Sequence, residues 1–199
     1  MDNAQELRLG TRGSQLALWQ AKTVAARIAA AGGPPCRIVV IKTDGDRLQE
    51  RPLSEIGGKG LFVKEIEDAL LGGEIDLAVH SSKDMSAVLP DGLTIAGVLP
   101  RENPLDAVVL PGGKQRSGIG DRGSAMSVER LVAALGSAPS IGTGSVRRIA
   151  QLTRLFPGAR FTGIRGNLDT RLRKLDEGAH DALVLAAAGL TRLGFAARI

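Results

Sequence analysis

The chain has 199 residues, 43% hydrophobic and 24% charged, which are the proportions of a folded globular protein and exclude a disordered or fibrous one. Lysine and arginine outnumber aspartate and glutamate by 26 to 21, which points to an anionic partner. No tyrosine, one tryptophan and four phenylalanines are too few for a stacking platform on single-stranded nucleic acid, and the single cysteine, Cys36, excludes an internal disulfide and a cysteine-rich metal site.

The first residues, Met1-Asp2-Asn3-Ala4-Gln5-Glu6, lack the basic-then-apolar layout of a signal peptide, and no apolar run approaches the ~20 residues of a membrane span. A cytoplasmic protein is expected, without a membrane partner. Leu7-Arg8-Leu9-Gly10 reads as a strand, and Ser14 as the N-cap of a helix reaching about Ala31 with Leu16, Trp19, Val24 and Ile28 near one face. Arg37-Ile38-Val39-Val40-Ile41 is β-branched and predicts a second strand, with Cys36 a small half-buried residue at its start. The polar stretch 43–60 is long for a connection and ends in Gly57-Gly58-Lys59-Gly60, where flanking glycines leave a lysine open to a ligand; it lacks the spacing of a Walker A loop. A helix over 61–71 follows, with Phe62, Ile66 and Leu70 on one face.

The apolar run Ile75-Asp76-Leu77-Ala78-Val79 predicts a buried strand that delivers His80-Ser81-Ser82-Lys83-Asp84 at its carboxyl end. In an open α/β sheet ligands bind beyond the carboxyl ends of strands, so this lysine and aspartate are placed for chemistry; a solvated turn is the competing reading. Residues 93–98 are expected to form another strand, and Pro100-Arg101-Glu102-Asn103-Pro104 to be a crossover, dividing the chain into lobes 1–103 and 104–199. In the second half, 106–110 reads as a strand, 111–124 as a glycine-rich loop, and 127–135 as a helix closed by Gly136.

One arrangement then occurs twice. Ser140-Ile141-Gly142 leads through Thr143-Gly144-Ser145 into a helix opened by Val146-Arg147-Arg148. The strand at 161–164 leads through Arg165-Gly166-Asn167 into a helix carrying Arg171. Each is read as a strand ending in glycine and a hydroxyl or amide N-cap. Helix starts already favour anions, so arginines added there suit a carboxylate or phosphate ligand; exposed arginines on an amphipathic helix are the alternative. A last strand at 181–185 and an alanine-rich helix bearing Arg192 complete an alternation that predicts an α/β class, two doubly wound lobes with a cleft between them.

Six stretches in this order resemble the hydroxymethylbilane synthase (porphobilinogen deaminase) family. They are Leu9-Gly10-Thr11-Arg12-Gly13-Ser14-Gln15-Leu16-Ala17, Gly57-Gly58-Lys59-Gly60-Leu61-Phe62, His80-Ser81-Ser82-Lys83-Asp84, Gly142-Thr143-Gly144-Ser145-Val146-Arg147-Arg148, Ile164-Arg165-Gly166-Asn167 and Leu185-Ala186-Ala187-Ala188-Gly189-Leu190. The resemblance implies two lobes like those of type 2 periplasmic binding proteins, and a monomer that joins four porphobilinogen units with release of ammonia on a covalently held dipyrromethane primer. It implies Asp84 as the catalytic acid, hydrogen-bonding pyrrole N–H groups, helping to protonate the leaving amine and facing the electron-poor azafulvene. It further implies that Arg12, Ser14, Lys59, Lys83, Thr143, Ser145, Arg147, Arg148, Arg165, Arg171 and, more loosely, Arg192 bind the acetates and propionates of the growing chain. No metal is expected. Such a ligand accounts for the positive charge better than nucleic acid does, so no nucleic-acid partner is expected.

Two departures bear on this resemblance. Ser86 stands where the family usually has a proline, whose fixed φ would stiffen the loop after Asp84. The third domain, with the cysteine that anchors the primer, is expected to lie outside these 199 residues, and Cys36 matches no cofactor position. A non-catalytic two-lobed module that clamps a small polyanion is therefore the competing functional expectation.

Overall fold

The computed structural model describes residues 6–47, 63–112 and 127–199. The chain divides into two units, Met1–Pro100 and Arg101–Ile199, each with its own sheet.

In the first unit β1 (Leu7–Thr11) lies between β2 (Cys36–Val40) and β3 (Leu77–Ala78), parallel to both. Helix α1 (Gln15–Ala30) connects β1 to β2. Ser14 Oγ accepts a hydrogen bond from Ala17 N at 3.3 Å, satisfying one of the N–H groups a helix start leaves over. The helix ends as expected at Gly32, whose φ of +77° is a left-handed conformation that favours glycine. A short helix α2 (Asp44–Arg47) and helix α3 (Lys64–Leu71) precede β3. Gly10 pairs with Val39 and Ala78 and shares their face of the sheet, where Val39, Ile41 and Ala78 pack against Ile66 and Ala69 of α3 and against Ile75. Thr11 belongs to the opposite face, and its fully buried Oγ1 donates to Ala17 O of α1 at 3.3 Å. Helices thus cover both faces, as a parallel sheet requires.

The second unit has strand order β4-β7-β5-β6. Strands β5 (Ser140–Gly142), β6 (Arg160–Thr162) and β7 (Ala182–Ala186) are parallel, and β4 (Asp106–Val109) runs antiparallel on the β7 edge. Its helices are α4 (Val128–Leu135), α5 (Val146–Leu155), α6 (Leu168–Asp176) and α7 (Ala187–Arg192). Alternation along β7 separates two cores: Leu183 and Leu185 join Leu172, Leu175 and Leu190, whereas Val184 joins Ile141, Leu152 and Phe156. Strand β7 is therefore apolar on both faces, the pattern of a central strand with helices above and below. Fully burying one such leucine or isoleucine contributes about 1.5–3 kcal/mol. The α/β class and the doubly wound lobes expected from the sequence are those observed.

Several local expectations are corrected. Residues 93–98 form no strand: no neighbouring strand pairs with them among the described residues, and Ile95 and Val98 are 58% and 84% exposed. Strand β3 is two residues rather than five, although Asp76 N donates to Arg8 O and Val79 N to Gly10 O on either side of it. Neither Ser145 nor Asn167 caps its helix through its side chain. Instead, Ser145 N donates to Thr143 Oγ1 at 3.3 Å. The glycine-rich loop expected over 111–124 lies mostly outside the described residues, as do Leu61 and Phe62 at the expected start of α3. Among the described residues, no helix is long and apolar enough to cross a membrane.

Candidate functional site

In the first unit, the ends of the adjacent parallel strands β1 and β3 converge on a cavity of about 80 Å³. The turn after β1 contributes Arg12 and Ser14, the first turns of α1 contribute Leu16, Ala17 and Gln20, and the chain after β3 contributes Val79, His80, Ser81, Lys83 and Asp84. Lys83 and Asp84 stand on a 3-10 turn, Ser82–Asp84, closed by Asp84 N donating to Ser81 O at 2.9 Å. Gln20 Nε2 donates to Ser81 Oγ at 3.3 Å, tying the helix to this turn. The His80 pKa lies below the ordinary histidine value: burial lowers it first, Asp84 opposes that, and Arg12 adds to it. Its Nε2 is buried and meets no hydrogen-bond partner among the described residues. Ser14 accepts from the helix through a lone pair and keeps its own O–H available as a donor.

In the second unit, the arginines gather at the carboxyl ends of the parallel strands. Arg148, in the first turn of α5, donates Nη1 to Val184 O at 2.9 Å and Nη2 to Asp106 Oδ1 at 2.6 Å. Arg171, in the first turn and a half of α6, donates Nε to Gly166 O at 2.8 Å. Burial chiefly, then the charges of Arg165 and Arg148, lower the pKa of Arg171. Arg171 thus stands near two like charges, an arrangement in which a ligand carboxylate is favoured. Thr143 is buried beside this cluster's loop, with its backbone N–H on Thr162 O at 2.9 Å, and Arg147 is exposed on α5.

Residues 7–199 match the family described as porphobilinogen deaminase, dipyromethane cofactor binding domain. The chain belongs to the porphobilinogen deaminase family. It is 47% identical over 194 residues to the porphobilinogen deaminase of Syntrophobacter fumaroxidans, covering 97% of this chain and 58% of that protein. With the porphobilinogen deaminase of Paracoccus denitrificans the identity is 48% over 199 residues, again covering 97% of this chain and 58% of the relative. Among solved structures, an amino acid ABC transporter substrate-binding protein from Streptococcus pneumoniae bound to L-arginine superposes with a TM-score of 0.46 at 15% identity, covering 98% of this chain and 71% of that one. The chain thus spans a little under three fifths of the length of the porphobilinogen deaminases it matches.

The structure brings Arg12, Ser14, Lys83 and Asp84 to one cavity, and Arg148 and Arg165 within electrostatic reach of Arg171. Thr143 and Ser145 share the loop after β5, and Arg192 ends α7. Lys59 lies outside the described residues. Three residues of these sites had no role assigned from the sequence. Gln20 is four and three residues after Leu16 and Ala17, so helical spacing alone places it on the cavity face. His80 lies inside a quoted motif, and Asp106 opens a strand, where a single acid carries no signal of its own. The cation cluster fits a polycarboxylate such as a dipyrromethane, since it presents several arginines and a buried Arg148 Nε with no acceptor among the described residues. Cys36 does not fit as its covalent anchor. It pairs with Leu7 at the start of the sheet, opposite the cavity end, and its Sγ lies 3.7 Å from Pro34 O.

Proposed function

We propose that this chain carries the substrate-polymerising and primer-binding lobes of a hydroxymethylbilane synthase, which joins porphobilinogen units into a linear tetrapyrrole with release of ammonia. The observation that carries this reading is one cavity lined by a carboxylate, Asp84, and by three groups able to bind carboxylates, Arg12, Ser14 and Lys83. Asp84 accepts hydrogen bonds from pyrrole N–H groups and holds negative charge beside the carbon that becomes electron-poor as the amine departs. A carboxylate so placed lowers the cost of that charge, and it can hold a proton for the leaving nitrogen. Lys83, Arg12 and Ser14 orient substrate acetate and propionate groups. Arg147, Arg148, Arg165, Arg171 and Arg192, with Thr143 and Ser145, take those of the growing chain, and Lys59 is a further carboxylate-binding cation. Dipyrromethane, when bound, would supply the free pyrrole carbon to which the first unit is joined; Arg148, Arg165 and Arg171 would hold its side chains. The family resemblance supports a cytoplasmic monomer with no nucleic-acid or membrane partner.

The test measures porphobilinogen consumption and ammonia release by the protein as encoded in its genome, together with calorimetry of porphobilinogen on the 199-residue chain. An Asp84→Asn variant is expected to lose turnover by about 100-fold or more while still binding porphobilinogen. Unchanged turnover in that variant contradicts the assignment, and saturable binding without any ammonia release favours a binding module instead.

A further inference from the structure

We infer that Asp106 is a positioning residue of the arginine-rich site, acting through Arg148 rather than touching the ligand. This inference rests on the reading of the second unit as a carboxylate-binding site. Antiparallel pairing of Asp106 with Ala186 puts the first residue of β4 beside the end of β7, the same edge at which β5 and β6 hand over to α5 and α6. Strand β5 pairs with β7 only as far as Gly142 and Leu183. One residue further on, the Val184 carbonyl accepts Arg148 Nη1 at 2.9 Å, and Asp106 Oδ1 accepts Nη2 at 2.6 Å.

Two acceptors on the two ends of a planar fork fix both the place and the plane of the guanidinium. The Arg148 side chain is only 17% exposed, so its position is set by these partners more than by solvent. Among the described residues its Nε is buried without an acceptor, a donor costly to leave unmet. The carbonyl alone would leave the fork free to swing about one hydrogen bond. Asp106 supplies the second point, and its negative charge stands beside a cluster in which Arg148 and Arg165 both depress Arg171. The aspartate therefore does two separable things: it aims Arg148, and it offsets one of three crowded positive charges.

The two roles give opposite results in calorimetric titrations of the 199-residue chain with porphobilinogen and, independently, with citrate as a generic polycarboxylate. Asp106→Asn keeps an acceptor oxygen and removes the charge, and it is expected to bind within about threefold of the parent. Asp106→Ala removes the acceptor as well and is expected to weaken binding about tenfold, the loss typical of one hydrogen bond to a charged group. Asp176→Ala, which breaks an ion pair with Arg198 elsewhere in the same unit, should lower the melting temperature without changing affinity, separating aim from general loosening. Tighter binding by both Asp106 variants would make the aspartate a competing anion and overturn the inference, as would equal binding by all the variants. Parent binding of citrate but not of porphobilinogen would count against the proposed substrate, while the citrate series still decides the role of Asp106. Parent binding of neither would overturn both.

Discussion

His80 is poised by its surroundings more than by its own chemistry. Burial disfavours the imidazolium, Asp84 partly restores it, and Arg12 works against it, so the folded-state pKa lies below the ordinary histidine value. Above that ordinary value the ring is neutral in folded and unfolded chains alike, and it costs nothing. As the pH falls, the unfolded chain takes up a proton that folded His80 resists, so stability is lost on the acid side. In Asp84→Asn the one favourable charge is gone, and the His80 titration midpoint, followed by the NMR shift of its ring Cε1 proton, should fall further. A midpoint equal to or above that of the parent would show that the two side chains do not interact. Asp76 behaves in the opposite chemical sense with the same direction in pH. Its Oδ2 accepts from Arg8 N at 2.7 Å and from Nε at 3.0 Å, while Oδ1 meets Nη2 at 2.6 Å, and these bonds to Arg8 hold its pKa down to about 2. The contribution is present above the ordinary carboxylate range and disappears as the pH drops from about 4 toward 2. Arg8→Met keeps the backbone bond and should raise the Asp76 pKa only part of the way toward the ordinary range, read from its carboxylate carbon shift, and make the acid limb of an unfolding curve shallower over that interval.

Single elements decide which of these side chains reach the cavity. Ser14 serves helix and ligand at once, because its lone pair caps Ala17 N while its O–H stays free to donate. Ser14→Ala should therefore cost about 1 kcal/mol of stability and also weaken carboxylate binding. Ser14→Asp, which caps equally well but repels an anion, should keep the melting temperature and lose the binding. If both variants bind porphobilinogen as the parent does, Ser14 is only a cap. That serine was readable from the sequence because a cap followed by helical apolar spacing has a local signature. The same logic failed at Ser145 and Asn167, where the hydroxyl and amide stand in capping position but make no capping bond; the loop after β5 instead folds on Thr143 Oγ1. It failed again at 93–98, since an apolar, β-branched run becomes a strand only when a neighbouring edge offers hydrogen bonds. The motifs singled out Asp84, Lys83, Arg148 and Arg171 because each stands near where a strand gives way to a helix or turn. Asp106 escaped because its role comes from a strand pairing eighty residues away in sequence, at Ala186, which no local pattern encodes.

At the scale of the whole chain, the second unit keeps its sheet, its cores and its ion pairs within its own residues. All partners of the β4-β7-β5-β6 ladder lie within Arg101–Ile199, and so do both cores on the two faces of β7. The ion pairs of Arg148 with Asp106 and of Arg198 with Asp176 close within it as well. About 100 residues with a central strand buried on both faces is a size at which independent folding is common. Residues 101–199 expressed alone are therefore expected to melt cooperatively, give dispersed amide NMR spectra and protect the amides of β7 most strongly against hydrogen exchange. They should also bind citrate through Arg148, Arg165 and Arg171 without the first unit, with affinity falling as salt rises because the attraction is between charges near the surface. A polypeptide that melts without cooperativity would show that the second unit depends on the first. A folded one that ignores citrate would show that its arginines form no anion site by themselves, and would shift the whole of carboxylate recognition to the cavity around Asp84.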